Sequence, residues 1–520
     1  MIVCSTAIII SSCNSSSGGG TNLSSQPPDG VNFGGMYVLE DWLSSSDKVD
    51  HYVSTPCQYK NTGIANSNIF AQDPHIKNFT WTSETNLTEK FLQNGYTEEQ
   101  VAELFQQHRD TYLLQEKDGP GSIDANFAKL QSLGIKFIRL PVTWAITYPD
   151  HSYTINPGNG GTPVVIPATN KVVLITDPFY PNVKWASIPI MQIETILQIA
   201  SWHGIKVLID IHAYPGGSGD GTYNGVWPNP PRFWTTGVNA NGKPIYQKNF
   251  QTIVQNLIIW ADGLFKLDDQ SYANGLAGLS PMNEPAHLMG IPDARCDSKT
   301  SWGITSYQDV LNTLALSVND FKQSSLPSHN IKLYMNVIET MFPNGINTYK
   351  TIGTWWNGIT SEEERDNWAM LDIHHYIAWD ANCNQCIMND VVDNKITSEG
   401  FAKAKMCSSW FLNLRQNLDL SEKSLLSTSE ISASTNSDTD LSCASGRTAL
   451  PYKTPDNYAE YRNYFLEEQI ANAKKANIQT YFWNWMIPYN KNYQNEWSLY
   501  NICTGANPPA FCNYAINLMQ

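Results

Sequence analysis

The sequence predicts an α/β fold, a closed (β/α)8 TIM barrel built as one domain with long loops over its C-terminal face. Eight short apolar segments alternate with helix-like patterns, and several of these segments are continuous apolar runs, as in strands buried on both faces. Eight alternating units favour a closed barrel. The chain has 520 residues, a length that a single barrel with insertions can reach.

The predicted elements follow one another along nearly the whole chain. Helix patterns occupy 122–133 and 190–203, which end at glycines, and 458–476. Residues 148–184 and 431–454, rich in Gly, Pro, Ser and Asn, are predicted to be long loops. No internal repeat is present, and no second domain is needed. The strand candidates are 31–33, 135–140, 206–212, 278–283, 331–338, 370–374, 424–430 and 479–483.

Residues 1–28 are predicted to be a signal-like or lipoprotein-like segment with a Ser/Gly-rich linker, followed by the barrel domain at 29–520. The apolar stretch near the start is too short to span a bilayer and lacks the positive residues of a complete signal peptide. Residues 10–13 resemble a degenerate bacterial lipobox that ends at Cys13, so lipid anchoring at the cell surface and plain secretion are both open. Either way an extracellular location is expected.

Ten cysteines are compatible with an oxidising compartment and favour disulfides. Cys383 and Cys386, with Cys407 and Cys443, could instead form a zinc site, but the second pair lacks the tight spacing that zinc sites show. The pairing of the cysteines stays open.

Composition narrows the class of ligand. The net charge is -15 without a basic cluster, which argues against nucleic acid and against an anionic membrane surface. No later stretch is long and apolar enough for an integral membrane span. Aromatic residues make up 12% of the chain, with 17 Trp and 25 Tyr, which suits either stacking on sugar rings or a Trp-rich core. A neutral ligand is favoured.

Polar residues fall where the predicted strands end. The active sites of parallel barrels lie at the C-terminal ends of the strands, so these side chains should meet at one mouth. Any one of these polar residues could be structural, so the functional interpretation depends on their occurring together at one mouth. The candidates are Glu40, Arg139, His212, Asn283, Glu284, His374, Tyr376, Glu430 and Trp483.

Two of these residues suit the cleavage of a glycosidic bond. Glu284 follows the fourth strand within Asn283-Glu284-Pro285, and Glu430 ends the seventh. Such cleavage needs one carboxylic acid to protonate the leaving oxygen and a second carboxylate facing the anomeric carbon, about 5 to 5.5 Å apart when configuration is retained. The sequence therefore predicts that Glu284 is the acid/base and Glu430 the nucleophile, with no metal or other cofactor.

These motifs resemble the retaining enzymes of glycoside hydrolase family 5, and the details are most similar to the exo-β-1,3-glucanase branch. Residues 31–42, VNFGGMYVLEDW, are similar to that branch's opening GVNLGGWLVLEPW. The similarity runs from about Val31 to Trp497. Further matches are 138–141 (IRLP), 210–212 (DIH) with 215–216 (PG), 372–376 (DIHHY), 430–433 (EISA), and 482–485 (FWNW) with 496–497 (EW).

The resemblance implies a role for each matched residue. Asn283 would bind the sugar 2-hydroxyl, and Arg139 would orient Glu430 and keep it ionised. Glu284, without such a cationic partner, would stay protonated. The resemblance also implies that His212, His374 and Tyr376 line the subsite of the ring under attack, with Trp483 as its floor, Glu40 on hydroxyls at the closed end and Trp379 at the entrance.

The sequence departs from that branch at two places. Residues 213–227 replace the usual GAPGSQNG loop and are expected to wall the acceptor side of the cleft, and Trp379 replaces a common Phe. Glucan β-glucosidase activity, exo-acting on β-1,3-glucan, is favoured, and a monomer is expected. An endo-β-1,4-glucanase, a mannanase, a glycosylceramidase and transglycosylation stay open, as does a non-catalytic glycan-binding surface protein.

Overall fold

We describe the protein from a computed structural model. Some of the predictions fall outside the described part of the chain: those on residues 1–25, which include Cys13, on Trp379, and on the four cysteines of the alternative zinc site. The described residues are 26–44, 81–112, 123–158, 161–219, 221–227, 229, 231–235, 237–238, 241–285, 306–342, 345–376, 397–405, 410–434, 458–487, 494–505 and 507–513.

The predicted (β/α)8 barrel is confirmed. Eight parallel strands form a closed sheet in chain order, and β1 closes the barrel by pairing with β8, where Gly30 lies opposite Tyr481. Each strand overlaps its predicted segment. The strands are β1 (Gly30–Asn32), β2 (Phe137–Thr143), β3 (Lys206–Ala213), β4 (Leu276–Ser280), β5 (Lys332–Asn336), β6 (Ala369–Asp372), β7 (Leu426–Ile431) and β8 (Gln479–Phe482).

Helices surround the barrel, and the three helix predictions are confirmed within two residues at each end. Local sequence fixes several helix starts: Ser306 and Asp309, for example, form a capping box that satisfies free backbone N–H groups. The α-helices are Asp41–Ser44, Glu84–Gln93, Glu98–Thr111, Ile123–Ser132, Ile190–Trp202, Ile245–Leu264, Ser271–Asn274, Tyr307–Lys322, Thr348–Ile359, Glu362–Asn367, Ser398–Lys405, Trp410–Asn417, Tyr458–Lys475, Gln494–Trp497 and Leu499–Thr504.

The predicted long loop at 148–184 contains short strands that the sequence analysis did not predict. This segment follows β2 and contains two antiparallel hairpins, Tyr153–Ile155 with Val164–Ile166 and Leu174–Thr176 with Lys184–Ala186. Each strand is three residues long, so its alternation is too brief to stand out among the surrounding Gly and Pro residues. Of the predicted loop at 431–454, only the first residues are described.

The N-terminal end of the barrel is filled by packed side chains. Leu208, Tyr334, Met370 and Tyr481 form one buried cluster. The hydroxyl of Tyr334 lies 3.0 Å from that of Tyr481 and donates to Oε1 of Gln479 at 2.8 Å. This end is therefore a packed core, and the polar side chains collect at the opposite end.

Disulfide formation is confirmed for one pair, Cys503 and Cys512. The other eight cysteines lie outside the described residues. Among the residues that are described, no helix combines the length and the apolar character needed to cross a bilayer.

Arg415 joins two loops at the N-terminal face of the barrel. Its Nη1 donates to the carbonyl oxygens of Ser421 and Ser424, both at 2.7 Å. Its Nη2 donates to those of Asn477 at 2.9 Å and Ala476 at 3.2 Å. These carbonyls precede β7 and β8, and the arginine side chain is buried, so one residue holds the starts of two neighbouring strands.

We expect Arg415→Met to lower the free energy of unfolding by about 3 kcal/mol, because several buried carbonyl groups lose a charged donor. Urea denaturation measures the loss. Activity per folded molecule should stay near that of the unmodified protein, since Arg415 lies opposite the cleft. Lys423→Met, an exposed change in the same loop, is the control, and an equal effect of both changes would contradict the role of Arg415.

Candidate active site

Arg139 lies at the centre of the polar end of the barrel. Its Nη1 donates to Oε1 of Glu430 at 2.5 Å and to Oδ1 of Asn32 at 3.1 Å. Its Nη2 donates to Oδ1 of Asn283 at 2.6 Å and lies 3.0 Å from Oδ2 of Asp210. The predicted position at a strand end was wrong, because Arg139 is the third residue of β2 and lies fully buried below the mouth. It therefore fixes the cleft floor from beneath.

Glu430 is oriented by two donors. Arg139 binds Oε1, and the hydroxyl of Tyr376, which follows β6, donates to Oε2 at 2.6 Å. Burial, with the charges of Glu430 and Glu284, holds the pKa of Tyr376 well above its usual value, so its phenol keeps its proton. Both carboxylate oxygens of Glu430 are thus held as hydrogen-bond acceptors.

Glu284 is fixed through its backbone. It has φ 29°, in the left-handed region that a non-glycine residue adopts at a cost of about 1 kcal/mol or more. Its N–H donates to Oδ1 of Asn336 at 2.9 Å, and its carbonyl accepts from the hydroxyl of Tyr223 at 3.2 Å. These contacts hold the carboxyl group over the mouth, where its side chain keeps 13% exposure.

His374 connects the two glutamates to a buried aspartate. Its Nδ1 lies 2.6 Å from Oε1 of Glu284, and its Nε2 lies 2.9 Å from Oγ of Ser429 and 3.3 Å from Oδ2 of Asp372. Burial lowers the pKa of His374, but the charge of Glu430 and the hydrogen bonds with Asp372 and Glu284 outweigh it and raise the pKa to about 10. The imidazole is therefore a cation at neutral pH.

The prediction that Glu284 lacks a cationic partner was wrong. Burial raises the pKa of Glu284, but the hydrogen bond and charge of His374, with the charges of His212 and Arg139, bring it below its usual value. In the unbound protein the exchangeable proton therefore resides on His374, one hydrogen bond away from Glu284.

Glu284 and Glu430 are close enough for retaining chemistry. A carboxylate oxygen of each and a ring nitrogen of His374 all lie within 4.8 Å of one another. Retaining glycosidases separate their carboxyl groups by about 5 to 5.5 Å, whereas inverting enzymes leave about 6.5 to 9.5 Å for a water molecule. The arrangement fits direct attack by one carboxylate.

The same three groups have the spacing of a cation site. Both ring nitrogens of His374 are already engaged, Nδ1 with Glu284 at 2.6 Å and Nε2 with Ser429 at 2.9 Å. The arrangement suits proton exchange better than metal ligation.

His212 and Trp483 form one side of the mouth. Nδ1 of His212 lies 2.8 Å from Oδ2 of Asp210, and its ring stacks on Trp483 with centroids 5.7 Å apart and planes at 14°. Nδ2 of Asn283 lies 3.5 Å from Nε2 of His212. Because Oδ1 of Asn283 already accepts from Arg139, its amide nitrogen is turned towards His212.

Glu40 lies at the edge of the site, and the loop after β3 reaches it. Oε2 of Glu40 accepts from Nε1 of Trp42 at 3.0 Å and from Oγ1 of Thr222 at 2.5 Å. The loop 213–227, which is expected to wall the acceptor side of the cleft, spans from Glu40 to the backbone of Glu284. Trp379, predicted at the entrance, lies outside the described residues.

Two functional aspartates were missed by the sequence analysis, although a signal for them exists. Asp210 and Asp372 each precede a histidine by two residues, and alternate residues of a strand share a face. Each aspartate therefore points into the barrel with its histidine and contacts it. The partners contributed by Asn32, Asn336 and Ser429 depend on the pairing of distant strands, which no local pattern reveals.

The chain shares its fold with a solved rutinosidase. It is similar to a rutinosidase from Aspergillus niger, with 14% identity, a TM-score of 0.50, and coverage of 91% of this chain and 94% of that chain. AoRut is 13% identical with a TM-score of 0.49, covering 92% and 96%. PbGH5A, a glycoside hydrolase family 5 enzyme from Prevotella bryantii B14, is 12% identical with a TM-score of 0.38, covering 77% and 86%. Neither a protein-family model nor a curated protein sequence matches the chain.

At 14% identity, the similarity to the rutinosidase shows a shared fold. It agrees with the barrel architecture that the resemblance to family 5 implies.

We expect the protein to lose stability between about pH 6.5 and 10 because of His374. Its pKa rises from 6.5 to about 10 on folding, so in this window the folded state binds more protons than the unfolded state. The free energy of unfolding therefore falls as pH rises. Urea denaturation across this range should show a decline that is reduced in His374→Gln.

The adjacent His375 provides a matched control of opposite sign. Burial lowers its pKa to about 3, so it is neutral in both states above about pH 6.5. His375→Gln should leave the alkaline decline unchanged and reduce the stability loss below pH 6.5. An alkaline decline that is equal in His374→Gln and the unmodified protein would contradict the raised pKa of His374.

Proposed function

We propose that the protein is a retaining β-glycosidase of the family 5 type that hydrolyses β-glucan, with exo action on β-1,3-glucan favoured. The observation that carries the proposal is a pair of carboxylates with oxygens within 4.8 Å of each other. Glu430 is held by Arg139 and Tyr376, while Glu284 is hydrogen-bonded to His374. Two carboxylates in different environments suit two different roles.

In the first step, Glu430 attacks the anomeric carbon of the sugar and the bond to the leaving oxygen breaks. Glu284 gives a proton to that oxygen, and His374 supplies the proton across their hydrogen bond. Because Glu430 loses its charge on forming the ester, one cause of the raised pKa of His374 disappears at this moment. The transfer of the proton is thereby coupled to the formation of the covalent intermediate.

In the second step, water attacks the anomeric carbon and Glu284 accepts a proton from it. The ester bond to Glu430 breaks, its carboxylate charge returns, and the proton goes back to His374. Arg139 and Tyr376 stabilise the returning carboxylate through the hydrogen bonds that they make to its two oxygens. A sugar hydroxyl in place of water would give transglycosylation.

The surroundings of the pair suit a neutral sugar. The amide nitrogen of Asn283 carries a second N–H, beyond its contact with His212, that can donate to a hydroxyl. Trp483, with His212 stacked on it, offers an aromatic surface to the ring. Glu40 would bind hydroxyls at the end of the cleft. Trp379 stays a predicted contact at the entrance, and secretion or lipid anchoring through Cys13 stays a prediction.

We expect the protein to release glucose from laminarin, and not from carboxymethylcellulose or mannan, with barley β-glucan as a mixed-linkage comparison. Glu284→Gln and Glu430→Gln should each lower the rate about 10³-fold or more. Glu467→Gln, a buried carboxylate on the helix Tyr458–Lys475 that accepts from a backbone N–H, is the control and should keep the activity. Product sizing by chromatography is the measurement.

Other products would favour a different enzyme. A ladder of oligosaccharides from carboxymethylcellulose or mannan would favour an endo-β-1,4-glucanase or a mannanase, and hydrolysis of a glycosylceramide alone would favour a glycosylceramidase. Glycan binding without any turnover, unchanged in Glu430→Gln, would contradict the glycosidase and favour a binding protein.

A further inference from the structure

Three chain segments interlock beside Glu40 and form a wall at one end of the cleft. Oγ1 of Thr82 and Oγ of Ser83 donate to the carbonyl of Trp227 at 2.6 and 2.7 Å. The N–H and Oγ1 of Thr85 donate to the carbonyl of Gly225 at 3.1 and 2.8 Å. All five residues are buried. The start of the helix Glu84–Gln93 is thus joined firmly to the loop after β3.

Glu40 belongs to the same wall. Its backbone forms an antiparallel bridge with Ser83, and Oε2 accepts both from Trp42 and from Thr222. No described residue donates to the other oxygen, Oε1. The carboxylate is therefore anchored by one oxygen and offers the second.

The carboxylate of Glu40 faces the candidate active site. Burial raises its pKa, while the hydrogen bond from Thr222, the charge of His212 and the hydrogen bond from Trp42 lower it, and the charge of Glu430 raises it. Trp42, which donates to this carboxylate, packs against the cluster that contains Trp483. Tyr223, next to Thr222, donates to the carbonyl of Glu284, so Glu40 lies on the cleft side of the wall. An acceptor held there can bind a hydroxyl of a sugar in the cleft.

We propose that Thr222 is a positioning residue that fixes Glu40 as the recognition group for the terminal sugar ring. The inference rests on the proposed glycosidase function and deepens it, because it adds a positioning residue on the loop after β3 to the contact already proposed between Glu40 and sugar hydroxyls. Two donors on one oxygen prevent the carboxylate from turning. Without the Thr222 hydroxyl, Trp42 alone would hold it.

The test compares three variants on 4-nitrophenyl β-glucoside. Thr222→Val removes the donor and should raise KM about tenfold, the effect of one charge-assisted hydrogen bond, while kcat changes by less than about twofold. Thr222→Ser keeps the hydroxyl and should restore KM. Thr85→Val removes a buried hydroxyl from the same wall without touching Glu40, so its KM should stay near that of the unmodified protein.

Titration calorimetry with the iminosugar 1-deoxynojirimycin tests the same contact without turnover. Thr222→Val should weaken binding about tenfold, and Thr222→Ser and Thr85→Val should not. An unchanged affinity and KM in Thr222→Val, a failure of Thr222→Ser to restore them, or an equal loss in Thr85→Val would overturn the inference. An unmodified protein that binds the iminosugar but hydrolyses no β-glycoside would instead overturn the proposed function.

Discussion

The buried guanidinium of Arg139 is the contact on which the polar end of the barrel depends. It binds Asn32 on β1, Asp210 on β3, Asn283 after β4 and Glu430 on β7. Burying its charge is costly unless carboxylates compensate it, and burying those carboxylates is costly without the arginine. The carboxylates raise the pKa of Arg139 against the effect of burial, so the charge is permanent. The same contacts of Arg139 therefore join strands of the closed barrel and orient Glu430, the candidate nucleophile.

His374 completes the charge balance that Arg139 begins. The mouth holds the buried or nearly buried carboxylates of Asp210, Asp372, Glu284 and Glu430 beside the cationic side chains of Arg139 and His374. Of these two cations, only His374 can release its proton. Any change that removes one negative charge from the mouth lowers the proton affinity of His374, and this links the charge of Glu430 to the protonation of Glu284. The different partners of the two glutamates thereby suit them to the two different roles proposed for them.

Much of the fold and of the site could be predicted because both depend on local patterns. The buried strands are continuous apolar runs, and the polar residues that follow them, such as Glu284 and Trp483, are brought together by the topology of any parallel barrel. The contact of His374 with Glu284 was missed because the two residues follow different strands, β6 and β4. Whether they touch depends on the orientation of their side chains, which the sequence does not show. The contact of Thr222 with Glu40 was missed for a similar reason, since the path of a glycine-rich loop has no periodicity to read.

The most direct test of the account is covalent trapping with 2-deoxy-2-fluoro-β-glucosyl fluoride. The fluorine at C2 slows both steps, and the good leaving group lets the first step proceed faster than the second. Mass spectrometry of the digested protein should find one fluoroglucosyl group, attached to the peptide that contains Glu430. Attachment to Glu284, or no attachment to a folded protein that hydrolyses β-glucosides, would contradict the assignment of Glu430 as nucleophile.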